Sequence, residues 1–156
     1  MATVNHADLP NSELHEPKDV SAAAADTCYV ADGAGSGDWV APPYTYSLSV
    51  QLTDISTASS AYVVTPKGGT IKKIYSVIDG ALATADSALT TYIGGTAITG
   101  GGITVAFTGS AAGDSDVATP TALNVLSDGS VFKVTSDGGS TNTVICTVTI
   151  LVEVVV

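Results

Sequence analysis

A chain of 156 residues with 15 acidic residues against five lysines carries a net charge of −10, and its sequence isoelectric point is about 4.1. Proteins that bind nucleic acid need a positive surface to displace counterions from phosphate, so this charge argues against DNA or RNA as a partner. It argues equally against an anionic membrane, and the longest apolar run, residues 144–156, is too short and too interrupted by Thr147, Thr149 and Glu153 to span one.

The composition predicts an all-β fold. Val, Thr, Ala, Gly and Ser dominate a sequence that is 45% hydrophobic and only 13% charged, and these residues suit half-buried strands and tight turns. The length suits one domain with a tail. Residues 1–18 contain neither the basic stretch nor the apolar stretch of a secretory signal, so we expect the protein to finish in the cytoplasm in which it is made.

Residues 1–43 differ from the rest and are predicted to form an extended N-terminal arm. They hold seven acidic residues and one lysine, a net charge of −6, together with four prolines that interrupt regular structure. The one helical possibility, residues 20–25, is about two turns long and would need a partner surface to become ordered.

From Tyr44 onward the hydrophobic period changes to two, which is typical of strands with one wet face. The clearest case is YTYSLSVQL at residues 44–52. Further strands are predicted between turns rich in Gly, Ser and Asp, at residues 61–65, 70–78, 89–93, 103–107, 122–126, 131–135 and 143–156. Residues 44–156 are therefore predicted to form a single antiparallel β-sandwich or jelly-roll-like barrel, and the pattern leaves jelly-roll and immunoglobulin-like topologies both open.

The last predicted strand is unusually long, and its alternate residues make one continuous apolar face. A strand of about thirteen residues exceeds the usual five or six, and a free edge of that length would invite aggregation. It must therefore be central in its sheet or paired with another chain. We expect a homo-oligomer, with a trimer as the first choice, whose interface includes Val148, Ile150, Val152 and Val154.

The sequence offers no convincing catalytic, cofactor or metal site. Both histidines, His6 and His15, fall in the arm, where no surrounding residues fix a tautomer or a metal geometry. A Ser/His/Asp triad lacks its G-x-S-x-G elbow, and the glycine-rich residues 33–38 lack the Lys-Ser/Thr of a phosphate loop and are interpreted as a turn. Asp114 and Asp116 lack the further ligands of a calcium loop. We expect neither an enzyme nor a bound cofactor.

Cysteine and tryptophan are rare in this chain, so their positions are informative. Cys28 and Cys146 are far apart and lack metal-ligand spacing, and both are expected to pack as small apolar residues rather than to form a disulfide. Trp39 stands at the junction of the arm and the domain. Two roles are open for it: closing the end of the domain, or filling a pocket on a partner.

The arm motif resembles a segment found in virion proteins of tailed bacteriophages. That segment has His-x-Pro-Lys, then a small-residue stretch, then YVADGAGSGSW, and residues 14–40 here read LHEPKDVSAAAADTCYVADGAGSGDWV. Asp38 stands where Ser is expected, and the other residues from Tyr29 to Trp39 match. Residues 68–105 and 124–154 are similar in pattern to the β-sandwich of phage head decoration and head-fibre proteins.

The resemblance implies a decoration, or cement, protein on the outer surface of the virion. It would bind the major capsid protein, bridge neighbouring capsid subunits and associate with further copies of itself. The arm would add backbone hydrogen bonds by strand addition and place side chains in capsid pockets. The residues expected to contact the capsid are Leu9, Leu14, His15, Pro17, Lys18, Val20, Tyr29 and Trp39.

The alternative hypothesis is a receptor- or glycan-binding module of a phage head or tail fibre. Its recognition surface would be the loops at residues 83–87 and 108–116, although their shortage of aromatic residues argues against sugar stacking. A third hypothesis is an enzyme built from ordinary Asp and Ser residues. Loss of an activity in an Asp114→Ala variant would support that hypothesis.

Overall fold

The computed structural model describes residues 23–24, 27–31 and 37–154. The chain divides into two units, one comprising Met1–Pro43 with Val155–Val156 and the other comprising Tyr44–Val154. All regular secondary structure in the described residues is β-strand, so the predicted all-β class is confirmed. Within these residues there is no helix with the length and apolar character needed to cross a membrane.

Twelve strands account for the regular structure of the described residues. Two of them form an antiparallel hairpin in the first unit: β1 (Cys28–Ala31) and β2 (Gly37–Val40). The strands of the second unit are β3 (Tyr44–Leu52), β4 (Ser59–Val64), β5 (Gly69–Ile78), β6 (Ser87–Ile93), β7 (Thr96–Ala97), β8 (Ile103–Val105), β9 (Ser115–Ala118), β10 (Val125–Leu126), β11 (Val131–Ser136) and β12 (Cys146–Val154).

The strands of the second unit form two antiparallel sheets in jelly-roll order. Counting β7 with β8 and β9 with β10 as one interrupted strand each, the sheets read β3, β12, β5, β9/β10 and β4, β11, β6, β7/β8. The first strand of this unit thus pairs with the last, β3 with β12. The later pairs are nested inside it along the chain: β4 with β11, β5 with β9, and β6 with β8. This nesting is a long hairpin rolled into two sheets, which distinguishes a jelly roll from an immunoglobulin-like sandwich.

The core lies between the two sheets and is built by strict alternation along the central strands. In β12, inward residues are buried and the intervening outward residues are partly exposed. Strand β11 follows the same pattern, because a two-residue period sends every second side chain to one face. Strand β5 alternates in this way from Ile74 to Ile78, and an irregularity in its pairing with β12 leaves two residues between buried Ile71 and Ile74. The largest fully buried side chains in the described residues are Phe132, Leu52, Ile55, Ile71, Ile74, Leu89, Ile150, Val134, Val144, Val148, Val152 and Thr65.

The position of β12 corrects the predicted oligomer interface. Strand β12 is central, paired with β3 on one side and β5 on the other. Val148, Ile150, Val152 and Val154 are at most 3% exposed because they fill the core of their own chain. Strand β12 has nine residues, fewer than predicted, and its central place in the sheet accounts for its continuous apolar face, so these four side chains are not available to a second copy.

Strands β9 and β10 differ from the sequence prediction for reasons that the structure shows. The strand predicted at residues 122–126 is reduced to β10, because Leu123 adopts a φ of +56°, which lies outside the extended region that a strand requires. Strand β9 overlaps a stretch predicted as a turn. It pairs with β5 through Val117 opposite Tyr75, although its own sequence, SDVA, shows almost no alternation.

The two ends of the sandwich have different connections. Tyr44 lies opposite Val154 at one end, called the junction end because the chain enters the sandwich there. Leu52 and Cys146 lie opposite one another at the other end, called the loop end. The loop end carries the connections β3–β4, β5–β6, β8–β9 and β11–β12, and these contain most of the acidic residues of the second unit.

Candidate partner-binding surfaces

The hairpin brings together two of the residues predicted to contact a partner. Residues directly opposite one another in an antiparallel pair project from the same face. Tyr29 lies opposite Trp39, and their ring centroids are 5.4 Å apart with an interplanar angle of 64°. This edge-to-face geometry is favourable for two aromatic rings. One face of the hairpin is therefore an aromatic pair, and both of its members remain partly exposed.

The opposite face of the hairpin carries exposed aliphatic side chains. Val30 is 49% exposed and Val40 is 37% exposed. Cys28, opposite Val40, is a partly buried free thiol. A two-stranded hairpin of four residues per strand has little interior in which to bury such groups. Both faces thus present apolar surface of the kind that a protein partner can cover.

Gly37 shows why this glycine-rich segment suits a hairpin. A Cβ atom at position 37 would lie 2.8 Å from Cζ of the Tyr29 ring and closer still to the carbonyl oxygen of Val30. The absence of a side chain at Gly37 therefore lets the tyrosine ring pack against the backbone of β2. Gly37 and Asp38 belong to β2, and the remaining residues of the predicted turn at 33–38 lie outside the described part of the chain.

The other predicted capsid contacts lie outside the described residues. These are Leu9, Leu14, His15, Pro17, Lys18 and Val20. Most of the possible short helix at residues 20–25 lies there too, while Ala23 and Ala24 belong to neither a helix nor a strand. Sequence reasoning missed the hairpin because its strands are short. Two β-prone stretches, CYVA and GDWV, flank a glycine-rich segment, and that arrangement is a hairpin signal.

At the loop end, Asp54 ties the β3–β4 connection to the connection before β12. Its carboxylate accepts hydrogen bonds from Thr57 Oγ1 at 2.6 Å, from Ser56 Oγ at 2.7 Å and from the Ser56 amide at 2.8 Å. The Val144 amide, from the connection before β12, donates at 3.3 Å. These donors favour the ionised form, and they lower the pKa of Asp54 from its ordinary 3.8 to about 2, with the Thr57 hydroxyl contributing most.

Other carboxylates at the loop end also accept backbone amides. Asp79 accepts the Ile145 amide at 2.7 Å, so β12 begins only at the next residue, three residues later than the predicted strand. Asp86 accepts the Phe107 amide and Asp137 accepts the Ala88 amide, both at 2.9 Å. These carboxylates organise the loops around them, because loop amides have no strand partner to satisfy them.

A buried set of hydroxyls lies beneath these loops. Ser87 Oγ and Ser136 Oγ lie 3.0 Å apart, and both donate to the carbonyl oxygen of Ile55, at 2.9 and 2.7 Å. All three residues are buried. The arrangement ties β6 and β11 to the β3–β4 connection, and every polar atom in it has a partner, as burial requires.

The two loops predicted as a recognition surface meet at the loop end. The amide of Leu82, the residue before the first loop, donates to Ser110 Oγ of the second at 2.9 Å. The amide of Phe107, the residue before the second loop, donates to the Asp86 carboxylate of the first at 2.9 Å. A cavity of about 180 Å³ opens within the second loop, and its lining includes the side chains of Thr108, Ser110, Asp114 and Asp116. Polar groups dominate this lining, so it suits hydroxyl-bearing ligands better than apolar ones.

The described residues contain no group of three or more His, Cys, Asp or Glu side chains placed to hold a metal ion. Both histidines, His6 and His15, lie outside those residues. Burial raises the pKa of the Cys146 thiol to about 11, so this thiol is protonated at neutral pH. Cys146 packs in the core as a small apolar residue, as expected.

Comparisons with known proteins add no relative to this picture. No protein-family model matches the sequence, and no curated protein matches it.

Proposed function

We propose that this chain is a non-enzymatic virion structural protein that decorates and stabilises the exterior of a phage head. Residues 1–43 bind across capsid subunits, and the jelly roll associates with further copies of itself, as a trimer in the simplest arrangement, and faces solvent. The proposal rests on the resemblance of residues 14–40 to virion proteins, together with the local structure of the same segment.

The observation that carries the proposal is the hairpin with its Tyr29–Trp39 pair. The motif that resembles the virion segment forms a unit of its own, separate from the sandwich, and displays apolar groups on both faces. Partly exposed tyrosine and tryptophan side chains are the residue types that dominate binding energy at protein interfaces. Such a hairpin is well suited to bind a pocket or an edge on a capsid subunit.

The direction of the sandwich strands also supports the proposal. The chain enters the sandwich at Tyr44, at the junction end, and the acidic loops lie at the opposite end of the same strands. An acidic outer surface keeps neighbouring copies soluble at the high copy number of a virion.

Co-sedimentation with undecorated, expanded heads of the parent phage tests the proposal. We expect the full-length protein to pellet with heads to saturation and a form lacking residues 1–42 to stay in solution. Trp39→Ala should weaken binding about 30-fold, which corresponds to about 2 kcal/mol for an interface hot spot.

Asp38→Ser is the matched control for the tryptophan variant. Asp38 is exposed on the other face of the same strand, and Ser is the residue expected at that position in the virion motif. This variant should bind heads as well as the wild type does. If the full-length protein fails to pellet with mature heads, decoration is the wrong function.

Recognition of a receptor or glycan by a fibre is the second candidate function, and the meeting of the two predicted loops favours it. The polar cavity beside Asp114 and Asp116 could accept hydroxyl groups of a sugar, and Phe107, 40% exposed, lies next to it in sequence. A glycan-array screen with wild type and Asp116→Ala tests this function. If the wild type binds a glycan and Asp116→Ala does not, receptor recognition becomes the better proposal than decoration.

A further inference from the structure

The two long sides of the jelly roll end in different kinds of strand. On one side the sheets end in β7, β8, β9 and β10, none of which exceeds four residues. On the other side they end in β3, with nine residues, and β4, with six. Short, interrupted edges resist association with other strands, whereas long regular edges invite it. The outer edges of β3 and β4 are called the β3/β4 side below.

The edge of β3 is regular along its whole length. Strand β3 pairs with β12 over nine consecutive residues without a bulge, so its backbone is straight enough to accept another strand. Among the described residues, β12 is the one strand paired with β3. The second edge of β3 thus presents a row of backbone donors and acceptors.

The core is closed on one side of the sandwich and open on the other. On the short-strand side, inward residues such as Ile103 and Leu126 are buried. On the β3/β4 side, Leu48 faces the core yet is only partly buried, although Ile150, its partner on β12, is fully buried. Val63 of β4 is also only partly buried. Core-facing side chains such as Leu48 and Val63 are therefore less completely buried on this side than Ile103 and Leu126 are on the opposite side.

The β3/β4 side also lacks charge. Neither β3 nor β4 contains a charged residue, although residues 44–156 contain eight acidic residues and four lysines. The exposed side chains there include Tyr44, Tyr62 and Val64. Natural edge strands commonly carry lysine or another charge that keeps other strands away. Neither strand contains such a residue, and charges near Tyr46 of β3 come from the exposed Lys67 and Asp128 in neighbouring connections.

The missing charge indicates which partner the surface fits. Copies of an acidic chain repel one another wherever carboxylates face carboxylates. They can approach most closely where carboxylates are few, and strands β3 and β4 themselves contain none. A strand edge also offers both donors and acceptors, so an identical chain can pair with it.

We propose that the β3/β4 side is a self-association surface, covered by a second copy of this chain that extends the sheet through the free edge of β3. Backbone hydrogen bonds across the joined edges would satisfy the β3 donors and acceptors. The second copy would also cover Leu48 and the exposed Val64. This surface takes the place of the buried β12 residues as the contact between copies, and it involves no capsid.

Light scattering after size-exclusion chromatography, with sedimentation velocity over a wide concentration range, tests the proposal on the full-length protein. Val64→Glu places a carboxylate on the β3/β4 side, and Val117→Glu places one on the opposite side, which ends in the short strands. The two valines are matched controls for folding, since they are 60% and 56% exposed. Ser47→Lys is a second variant. Ser47 is exposed on β3, so this replacement disturbs no buried residue.

We expect an oligomer for the wild type and for Val117→Glu. Val64→Glu and Ser47→Lys should weaken association at least tenfold with unchanged circular dichroism. Hydrogen exchange should show protected β3 amides in the wild-type oligomer and faster exchange in the two weakened variants. Because no capsid is present, this result does not depend on whether the decoration proposal is correct.

Three results would overturn the proposal. A monomeric wild type with protected β3 amides would assign the edge to another segment of the same chain. A monomeric wild type with unprotected amides would leave the edge to a different protein. An oligomer that Val64→Glu and Val117→Glu weaken equally would place the contact between copies elsewhere.

Discussion

The hairpin and the jelly roll use the same antiparallel pairing but differ in what lies behind the strands. Behind β11 of the jelly roll is a second sheet, and Phe132 is completely buried between the two. Tyr29 and Trp39 of the hairpin pack edge to face against each other, and Val30 and Val40 beside them are exposed. The difference lies in the core rather than in the backbone pairing. Among the described residues, the jelly roll has a core between its two sheets, whereas the hairpin has no second sheet against which to bury its apolar side chains.

The sharpest test of this comparison is whether the two units unfold separately. Trp39 is the chain's only tryptophan and lies in the hairpin, so its fluorescence reports on that unit, while far-ultraviolet circular dichroism reports mainly on the sandwich. An isolated hairpin is marginal, and a domain is stable by roughly 5–15 kcal/mol. In a urea titration we expect the fluorescence transition well before the dichroism transition. Coincident curves would mean that the hairpin and sandwich unfold as one cooperative unit.

A core truncation should destabilise only the jelly roll. Phe132→Ala removes a fully buried aromatic ring from β11, and it should lower the unfolding free energy of the sandwich by about 3–5 kcal/mol. Urea denaturation followed by circular dichroism measures this change. Tyr29→Ala is the comparison: it should alter the tryptophan fluorescence and leave the sandwich midpoint unchanged. A loss below about 1 kcal/mol for Phe132→Ala would contradict a tightly packed core.

Acid should weaken the loop end of the sandwich through Asp54. The pKa of Asp54 is about 2 in the folded chain, below its ordinary 3.8, because hydroxyl and amide donors hold the ionised form. The stabilisation is therefore complete above about pH 4 and is lost as the pH falls through about 2. Asp54→Asn should remove this part of the pH dependence, and Thr57→Val should remove part of it. Thermal unfolding across this pH range measures the effect, and identical profiles for wild type and Asp54→Asn would contradict it.

The smallest expected effect concerns a polar group inside the core. Among the described residues, Ser76 Oγ is buried with no hydrogen-bond partner. Replacing it with alanine removes an unsatisfied group, so Ser76→Ala should raise the unfolding free energy by up to about 1 kcal/mol. Ser87→Ala is the matched control, because Ser87 is equally buried but fully bonded and its loss should be destabilising. A destabilising Ser76→Ala would indicate that this hydroxyl has a partner after all.

The sequence predicted the elements that alternate strictly. Residues 44–52 were predicted as a strand and form β3 over those same residues. The core face of β12 was predicted residue by residue, because its five alternating apolar residues, Cys146, Val148, Ile150, Val152 and Val154, all project to one face of the sheet. Strand β9 could not be predicted, since four residues with almost no alternation become a strand only because β5 offers an edge. Its pairing is a consequence of tertiary structure.

The error about β12 has a physical cause that also concerns the candidate surfaces. An apolar, alternating strand has the same sequence pattern whether its neighbours belong to its own chain or to another. Sequence alone therefore gave Val148 and Ile150 two possible environments, and pairing with both β3 and β5 identifies the intramolecular one. The β3/β4 side was not predicted for the converse reason: Leu48 looks like an ordinary core residue until the strand order places it at an edge.

The aromatic pair was only half predicted. Trp39 was recognised as an anchor and Tyr29 as part of a matching motif, but nothing in the sequence placed the two rings in contact. Their contact depends on the register of β1 and β2, which sets Tyr29 opposite Trp39. The hydrogen bonds of Asp54 to Val144 are similar, since they join residues far apart in the chain. The residue pattern of one segment predicts its own secondary structure better than it predicts which distant segments it will contact.

The place of β12 determines when the sheet can be completed as the polypeptide is synthesised. Strand β3 is the first of its sheet to leave the ribosome, and β12, which joins it to β5, is the last. Until β12 emerges, Leu48 and its neighbours on β3 have no strand of their own sheet beside them. Contacts between such distant segments form slowly, because the long intervening chain must first be brought together. Strand β3 therefore has no partner in its sheet while residues 53–145 are being synthesised, so the β3 edges of two copies can meet before the last strand of the sheet is made.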